Sequence, residues 1–144
     1  EIKNVKNAGI VAMVSVSSNA QSATAGARKL LEENPQINLL VGFNEWSTIG
    51  VGMAIKELGL KDRVCAIGFD NNTECVGMLE TGELDTLIVQ NPFSMGYLAV
   101  MNAANILSGK KTESVIKTDV YVVDRSNMFS ADVQKILFGF DKYD

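Results

Sequence analysis

Three short apolar runs decide the fold of this chain: residues 39–44 (LLVGFN), 64–70 (VCAIGFD) and 87–90 (LIVQ). Each run has the length of a strand and precedes a helical pattern, which is typical of parallel strands that are buried on both faces. Each run also ends on a side chain that can form hydrogen bonds, namely Asn44, Asp70 or Gln90. Ligands of open α/β sheets bind beyond the carboxyl ends of the strands, so these three side chains are predicted to share one rim.

The predicted rim offers two amides and a carboxylate, a set that suits a neutral polyol better than a metal ion or a phosphate. Asn44 and Asp70 each precede a predicted helix, so the alternative is that both only cap free backbone amides. The dipeptide Gly-Phe stands before both residues, and glycine at a strand end lets another group approach the backbone closely, which favours ligand binding. Gln90 is not needed as a cap, because Asn91 fills that position before Pro92.

Hydrophobic periodicity predicts the elements on both sides of these runs. Strands are predicted over residues 10–16, 37–43, 64–69, 84–90 and 115–123, the last as an edge strand. Helices are predicted over residues 20–34, 45–58, 72–81, 92–108 and 130–138. The first helix would begin in a capping box with Ser18 at the cap and Gln21 three residues later, and Gly59 would end the second helix in the left-handed conformation.

The ends of the three central runs recur at the spacing of a βα unit. Right-handed crossovers would then place helices on both faces of the sheet. The predicted fold is a doubly wound, mostly parallel α/β sheet in three αβα layers, with residues 1–144 as a single lobe. The sequence Gly50-Val51-Gly52 lacks the third glycine of a dinucleotide fingerprint and falls inside a helix, so we interpret it as close helix packing.

Composition narrows the classes of function. Hydrophobic residues make up 47% of the 144 residues, no apolar run approaches the ~20 residues of a membrane span, and a net charge of −4 gives nucleic acid no basic surface. The chain has no histidine, no phosphate-binding loop and no nucleophile elbow, so an enzyme is disfavoured and no cofactor or metal is expected. Cys65 and Cys75 are predicted to be two buried thiols rather than a disulfide.

Trp46 is the only tryptophan and lies close to the start of the helix that follows Asn44. Its ring is either packed on the helix face or placed against the apolar face of a sugar, beside hydrogen bonds to the hydroxyl groups. Ser15, Ser17 and Ser18 end the first predicted strand and are candidates for adding hydroxyl groups to the rim. Capping alone is the favoured interpretation for these serines.

Three stretches resemble the C-terminal lobe of the type I periplasmic sugar-binding proteins, in the superfamily of ribose-binding protein and the lactose-repressor core: residues 40–55 (LVGFNEWSTIGVGMAI), 66–71 (AIGFDN) and 82–97 (GELDTLIVQNPFSMGY). The resemblance implies that Asn44, Asp70 and Gln90 contact a sugar. Two departures leave the sugar unspecified. The aromatic residue that ribose-type binders carry after the first strand falls near Ser18, and the arginine that clamps the sugar belongs to a segment before residue 1.

The resemblance also implies a second lobe that is not in this sequence. The chain would cross a hinge near residues 90–92, pack the helix 92–108 on the other lobe, and return within residues 109–125. Residues 1–144 are therefore expected to be a fragment of a two-lobed protein whose lobes close over a ligand. Without the other lobe, the exposed apolar stripe of this helix is predicted to drive either the formation of a homodimer or a local rearrangement.

The expected function is the binding of a small sugar, as the solute-binding component of an ABC transporter or as an extracytoplasmic sugar sensor. The expected partner is a membrane permease or a sensor kinase. The expected location is extracytoplasmic, either in the periplasm or on the cell surface as a lipoprotein. One alternative is the effector-binding core of a cytoplasmic lactose-repressor-type regulator. Another is an α/β interaction or receiver-like module without a sugar site, in which replacing Gln90 by alanine would be silent for any ligand.

Overall fold

The computed structural model describes residues 6–138, so residues 1–5 and 139–144 of the predicted lobe lie outside the described range. Helices and strands alternate along the described chain, which confirms the mixed α/β class. In chain order the elements are α1 (Ala20–Glu33), β1 (Leu39–Val41), α2 (Glu45–Leu58), β2 (Cys65–Phe69), α3 (Thr73–Thr81), β3 (Thr86–Gln90), α4 (Pro92–Leu107), β4 (Val120–Asp124) and α5 (Ala131–Phe138).

The strands form one sheet in the order β1-β2-β3-β4. The pairs β1–β2 and β2–β3 are parallel, whereas β4 runs antiparallel to β3 at the edge, which confirms a mostly parallel sheet with a final edge strand. Backbone hydrogen bonds continue past the strand ends, since Gly42 N donates to Ile67 O at 2.9 Å and Asp70 N donates to Ile88 O at 3.0 Å. The carboxyl ends of β1, β2 and β3 therefore meet at one edge.

One face of the sheet carries the hydrophobic core. The buried residues of this core include Leu40, Ala66, Leu87, Val89 and Val123 from the strands and Ile49, Ala54, Ile55, Val76 and Leu79 from α2 and α3. On the opposite face Leu39, Cys65 and Val122 are exposed. The second helical layer of the predicted three-layer arrangement is thus not found among residues 6–138. For the same reason the prediction of a buried Cys65 is wrong, whereas Cys75 is buried as predicted.

Glycines allow α2 to pack closely against its two neighbouring helices. A Cβ atom on Gly50 would lie 2.4 Å from the backbone carbonyl carbon of Ala23 in α1, and one on Gly52 would lie 2.3 Å from Met78 Sδ in α3. Real Cβ atoms do not approach other atoms so closely, so larger residues would push the helices apart. These contacts confirm close helix packing as the role of the Gly-Val-Gly sequence.

The helix ends follow local capping chemistry. Asn19 caps α1, because its Oδ1 accepts a hydrogen bond at 2.8 Å from the backbone N–H three residues later, so the prediction of Ser18 as the cap is wrong by one residue. Asn19 has the extended backbone of an N-cap, with φ −155° and ψ 153°. Gly59 ends α2 in the left-handed conformation with φ 64°, as predicted. Asn91 caps α4, and Pro92 is its first residue.

The prediction of a strand over residues 10–16 is wrong. This segment has no regular structure, and the side chain of Met13 is 83% exposed. A strand forms only where a neighbouring strand completes its backbone hydrogen bonds. The segment instead passes over α1, where Val16 Cγ1 lies 2.6 Å from the position that a Cβ atom on Gly26 would occupy.

The chain leaves the sheet at its carboxyl edge after β3 and returns to the same edge at the start of β4. Gln90, the last residue of β3, pairs with Val120, so residues 115–119 have no partner on β3 and the predicted strand begins five residues late. No residue of α4 is buried in the described structure. Neither α4 nor any other described helix combines the length and hydropathy needed to cross a bilayer.

Candidate functional site

Asp70 and Gln90 lie side by side at the carboxyl edge of the sheet. Asp70 directly follows β2, and Gln90 ends β3, the neighbouring parallel strand. Gln90 Nε2 donates a hydrogen bond to Asp70 Oδ1 at 3.1 Å. The strand order thus brings these two predicted site residues into contact, as the strand-end pattern predicts.

The backbone of Asp70 turns sharply at the end of β2. Its φ of 70° lies in the left-handed region, which aspartate adopts more readily than most residues. The carboxylate is directed to the first turn of α2, where Oδ2 accepts a hydrogen bond from Glu45 N at 3.1 Å. Each carboxylate oxygen therefore holds one protein donor and keeps lone-pair capacity for a further donor, such as a hydroxyl group.

A cleft of about 320 Å³ opens beside this pair. Its polar lining consists of Asp70, Asn71 and Gln90, and its apolar lining consists of Pro92 and Met95 from the first turn of α4. Sites for small neutral molecules combine an apolar surface with a few placed hydrogen-bonding groups. The cleft has the composition that a polyol requires, because a polyol presents hydroxyl groups and C–H faces together.

Asn44 and Asp70 differ in their relation to the helices that follow them. Asn44 caps α2, since its Oδ1 accepts from Ser47 N at 2.9 Å, and this cap leaves its Nδ2 group for other contacts, so contact with a ligand stays a prediction. Asp70 does not cap α3. Asn72 does so, with its Oδ1 accepting from Glu74 N at 2.8 Å. The Asp70 carboxylate instead accepts from Glu45 N, a free backbone amide at the start of α2, so the alternative is wrong about the helix but right that Asp70 satisfies a helix amide.

Thr48, which no sequence pattern singled out, holds the end of β2. Its side chain is fully buried, and its Oγ1 accepts from Phe69 N at 2.8 Å and donates to Phe69 O at 3.1 Å. At this point β1 has already ended, so the threonine hydroxyl provides the two hydrogen bonds that a longer β1 would have made. The only sequence signal was a threonine on the inner face of α2, and helical periodicity does not reveal what it contacts.

Gly42 and Gly68 make room for α2 rather than for a ligand. A Cβ atom on Gly42 would lie 2.7 Å from Thr48 N, and one on Gly68 would lie 2.1 Å from Thr48 Cγ2. The close approach predicted from the repeated Gly-Phe dipeptide exists, but the approaching group is the first turn of α2. These glycines thus bring α2 onto the sheet edge, next to Asp70.

Aromatic surface is available at the same edge. Trp46, in the first turn of α2, is 41% exposed, so its ring is not packed away in the core. Phe43 and Phe69 contact each other with ring centroids 6.0 Å apart and an interplanar angle of 36°, and they directly precede Asn44 and Asp70. Sequence reasoning considered Trp46 and passed over this pair, although the repeated Gly-Phe dipeptide marked it.

Ser18 is not brought to the rim by any hydrogen bond found among residues 6–138. It lies in an exposed bend before α1. Of the predicted site residues, Asp70 and Gln90 line the cleft, whereas Asn44, Trp46 and Ser18 do not. A role for Ser18 in ligand binding stays a prediction.

A second groove, of about 370 Å³, lies between α1 and α2. Although it is larger than the cleft at Asp70, an ion pair spans it, with Arg28 Nη1 3.8 Å from Glu57 Oε2. Arg28 Nε also lies 3.6 Å from Glu32 Oε1 on its own helix. We assign no ligand to this groove, because no strand end contributes to its lining.

The described residues near the rim offer hydrogen bonds rather than a nucleophile. Burial, together with the carboxylates of Glu45, Glu74 and Asp70, raises the pKa of the Cys75 thiol to about 12. The thiol therefore stays protonated at neutral pH and is a poor nucleophile. Within residues 6–138, no group of three or more aspartate, glutamate or cysteine side chains is arranged to hold a metal ion.

Comparison with known proteins agrees with this geometry. Residues 1–111 match the family described as periplasmic binding protein domain. The chain is 30% identical over 94 residues to the ribose import binding protein of Haemophilus influenzae. That match covers 65% of this chain and 32% of the relative, so the chain spans about a third of the relative's length.

Two solved structures share the fold over nearly the whole chain. A carbohydrate transporter solute-binding protein from Agrobacterium radiobacter, in complex with D-arabinose, has a TM-score of 0.84 and 29% identity, covering 94% of this chain and 46% of that protein. An ABC transporter solute-binding protein from Agrobacterium vitis, with bound D-fucose, has a TM-score of 0.79 and 31% identity. The match covers 90% of this chain and 44% of that protein. Because the family match extends over most of the chain and the folds agree, this chain belongs to the periplasmic binding protein domain family.

Proposed function

We propose that this chain binds a small sugar at the carboxyl edge of its sheet. The observation that carries the proposal is the hydrogen-bonded pair of Asp70 and Gln90 in a cleft whose apolar lining is Pro92 and Met95. The names of the relatives support it, since they bind or import ribose, D-arabinose and D-fucose. The activity is binding without a chemical step.

In this proposal, each polar side chain of the site contacts different hydroxyl groups of the sugar. The Asp70 carboxylate accepts hydrogen bonds from two hydroxyl groups, because each of its oxygens has only one protein donor. Gln90 Oε1 accepts from a third hydroxyl group, and Asn44 Nδ2 donates to a hydroxyl oxygen. Trp46 provides exposed aromatic surface beside Asn44. A neutral sugar matches this set, because each of its hydroxyl groups is both a donor and an acceptor.

We further propose that the cleft is closed by a second lobe. The chain leaves the sheet after Gln90 and re-enters it at Val120, and the intervening α4 has no buried residue, which supports hinge crossings near residues 90–92 and 109–125. The chain also spans less than half the length of the solved relatives. A sugar that contacts both lobes would stabilise the closed arrangement.

In the organism, we propose that a protein containing this lobe works outside the cytoplasm and delivers sugar to a membrane permease. Relatives named as an import binding protein and an ABC transporter solute-binding protein favour this role over the core of a transcription regulator. In a sensor of the same design, the closed lobes would contact a sensor kinase instead of a permease.

The test of sugar binding is a fluorescence titration that uses Trp46, the only tryptophan, as the reporter. We expect a saturable change with one or a few members of a panel of pentoses, hexoses and cyclitols, together with a raised melting temperature. An amino acid such as leucine serves as the non-sugar control and should cause no change. Absence of saturable binding at millimolar sugar, both in this chain and in a longer protein that contains it, would refute the proposal.

For the chain by itself, we propose a homodimer formed through α4. The exposed large apolar side chains of this helix are Phe93, Met95, Tyr97, Val100, Met101, Ile106 and Leu107. Large apolar patches seldom stay uncovered in water, so sedimentation velocity should show a dimer that grows with concentration. The variant Val100→Glu should shift the chain to a monomer. A wild-type chain that stays monomeric at high concentration would contradict this proposal.

A further inference from the structure

We propose that Glu45 and Asn72 are positioning residues for the Asp70 carboxylate. They tie the first turn of α2 to the start of α3, on either side of Asp70, so that the carboxylate is held in one orientation for the sugar. The inference rests on the proposed sugar binding, and it names two residues that do not line the cleft.

The tie consists of three hydrogen bonds in series. Glu45 N donates to Asp70 Oδ2 at 3.1 Å, and the side chain of the same glutamate accepts from Asn72 Nδ2 at 2.6 Å. The other end of the Asn72 amide caps α3 by accepting from Glu74 N at 2.8 Å. Asn72 thus uses its oxygen on α3 and its nitrogen on α2, and Glu45 connects this amide to the site.

The tie matters because Asp70 has one backbone donor and one side-chain donor, and the side-chain donor is flexible. Gln90 Nε2 sits at the end of a long side chain, whereas Glu45 N–H belongs to the backbone of a helix. If the first turn of α2 shifts, this backbone donor moves away and the carboxylate loses its fixed partner. Holding Glu45 by its side chain therefore fixes the direction in which Asp70 presents its remaining lone pairs.

Asn72 also gives the Glu45 side chain a hydrogen-bond donor in a partly buried place. Without that donor, Glu45 would gain by turning towards water, away from the start of α3.

Two substitutions separate the tie from the capping of α3. Asn72→Ser keeps a side-chain oxygen that can cap the helix but is too short to reach Glu45, so it removes the tie alone. Glu45→Gln keeps an oxygen that accepts from Asn72 but weakens the hydrogen bond by removing its charge, so its effect should be smaller than that of Asn72→Ser. Glu80→Ala, at an exposed position of α3, is the matched control.

The first readout needs no ligand: amide hydrogen exchange of Glu45 N–H, measured by NMR. We expect Asn72→Ser to speed this exchange about three- to tenfold, the effect of one weakened hydrogen bond, while core amides and the urea midpoint stay unchanged. The second readout is the Kd of the sugar identified by the Trp46 titration, which should rise by a similar factor. Glu80→Ala should change neither quantity, and Glu45→Gln should change both less than Asn72→Ser does.

Unchanged exchange of Glu45 N–H in Asn72→Ser would overturn the positioning role, whether or not the wild-type chain binds a sugar. Faster exchange with an unchanged Kd would also overturn it, because the tie would then be structural only. A wild-type chain that binds no sugar would refute the proposed function, and the exchange result would still show whether the tie holds the donor of Asp70. The two failures are therefore distinguishable.

Discussion

Replacing Asp70 with alanine is expected to weaken sugar binding by at least about 100-fold. Asp70 is the one acidic residue among those that line the described cleft. Hydrogen bonds to a charged group contribute about 1.5–3 kcal/mol each, so losing two of them costs about 3–6 kcal/mol, and 100-fold corresponds to about 2.7 kcal/mol. The substitution also leaves Gln90 Nε2 and Glu45 N without their shared acceptor. Isothermal titration calorimetry with the identified sugar measures the change.

Two further variants make this experiment specific. Asp70→Asn keeps the shape of the side chain but turns an NH₂ group towards one of two protein donors, so it should bind almost as weakly as the alanine variant. Asp62→Ala removes an exposed carboxylate from the turn between α2 and β2 and should leave the Kd within about twofold of wild type. A loss of less than tenfold in Asp70→Ala, at an unchanged unfolding midpoint, would contradict the assignment of Asp70 to the site.

Replacing Gly50 with alanine is expected to lower the free energy of unfolding by about 2–3 kcal/mol. The new methyl group would lie 2.4 Å from the backbone carbonyl carbon of Ala23 and 2.7 Å from Thr24 N. Because these are backbone atoms of α1, the clash is relieved only by moving one helix, and such overpacking typically costs 1–3 kcal/mol, occasionally more. The intrinsic preference of helices for alanine offsets a part of this cost. Urea unfolding followed by far-UV circular dichroism measures the change.

Gly77→Ala is the matched control for this prediction. Gly77 also lies inside a helix, α3, but a Cβ atom there meets nothing within 4 Å. With the same chemical change and no clash, the variant should gain about 0.5–1 kcal/mol. If Gly50→Ala were as stable as Gly77→Ala, α1 and α2 would not be packed at the distance described here.

The helices were largely predictable because their signals are local. The bounds of α1 and α4 lie within one residue of the prediction, since each helix has an apolar periodicity and a polar capping residue at its start, although the cap of α1 was placed one residue too early. The strands were less predictable, because apolar runs show only the capacity to form a strand. Residues 10–16 are as apolar as β3 and yet form no strand, because they lack a neighbour for their backbone hydrogen bonds.

The site could be predicted in part. Asp70 and Gln90 were found because the carboxyl ends of adjacent parallel strands meet at one edge. Thr48, Glu45 and Asn72 were not found, because their hydrogen bonds connect residues 21, 25 and 27 positions apart. A glutamate in the first turn of a helix is common for reasons of helix polarity alone, so nothing in its local sequence distinguishes Glu45.

The sequence by itself determined the order of helices and strands from residue 20 onwards, the parallel course of the central strands, the polar residues at their carboxyl ends and the likeness to the periplasmic binding proteins. Only the tertiary structure decided that one sheet face is covered and the other carries the exposed Cys65. It also decided that Asp70 takes a left-handed turn towards the start of α2, where Glu45 N donates to its carboxylate and Thr48 holds the neighbouring Phe69. The physical reason is range: periodicity and capping act over a few residues, whereas burial and side-chain hydrogen bonds depend on which distant elements come into contact.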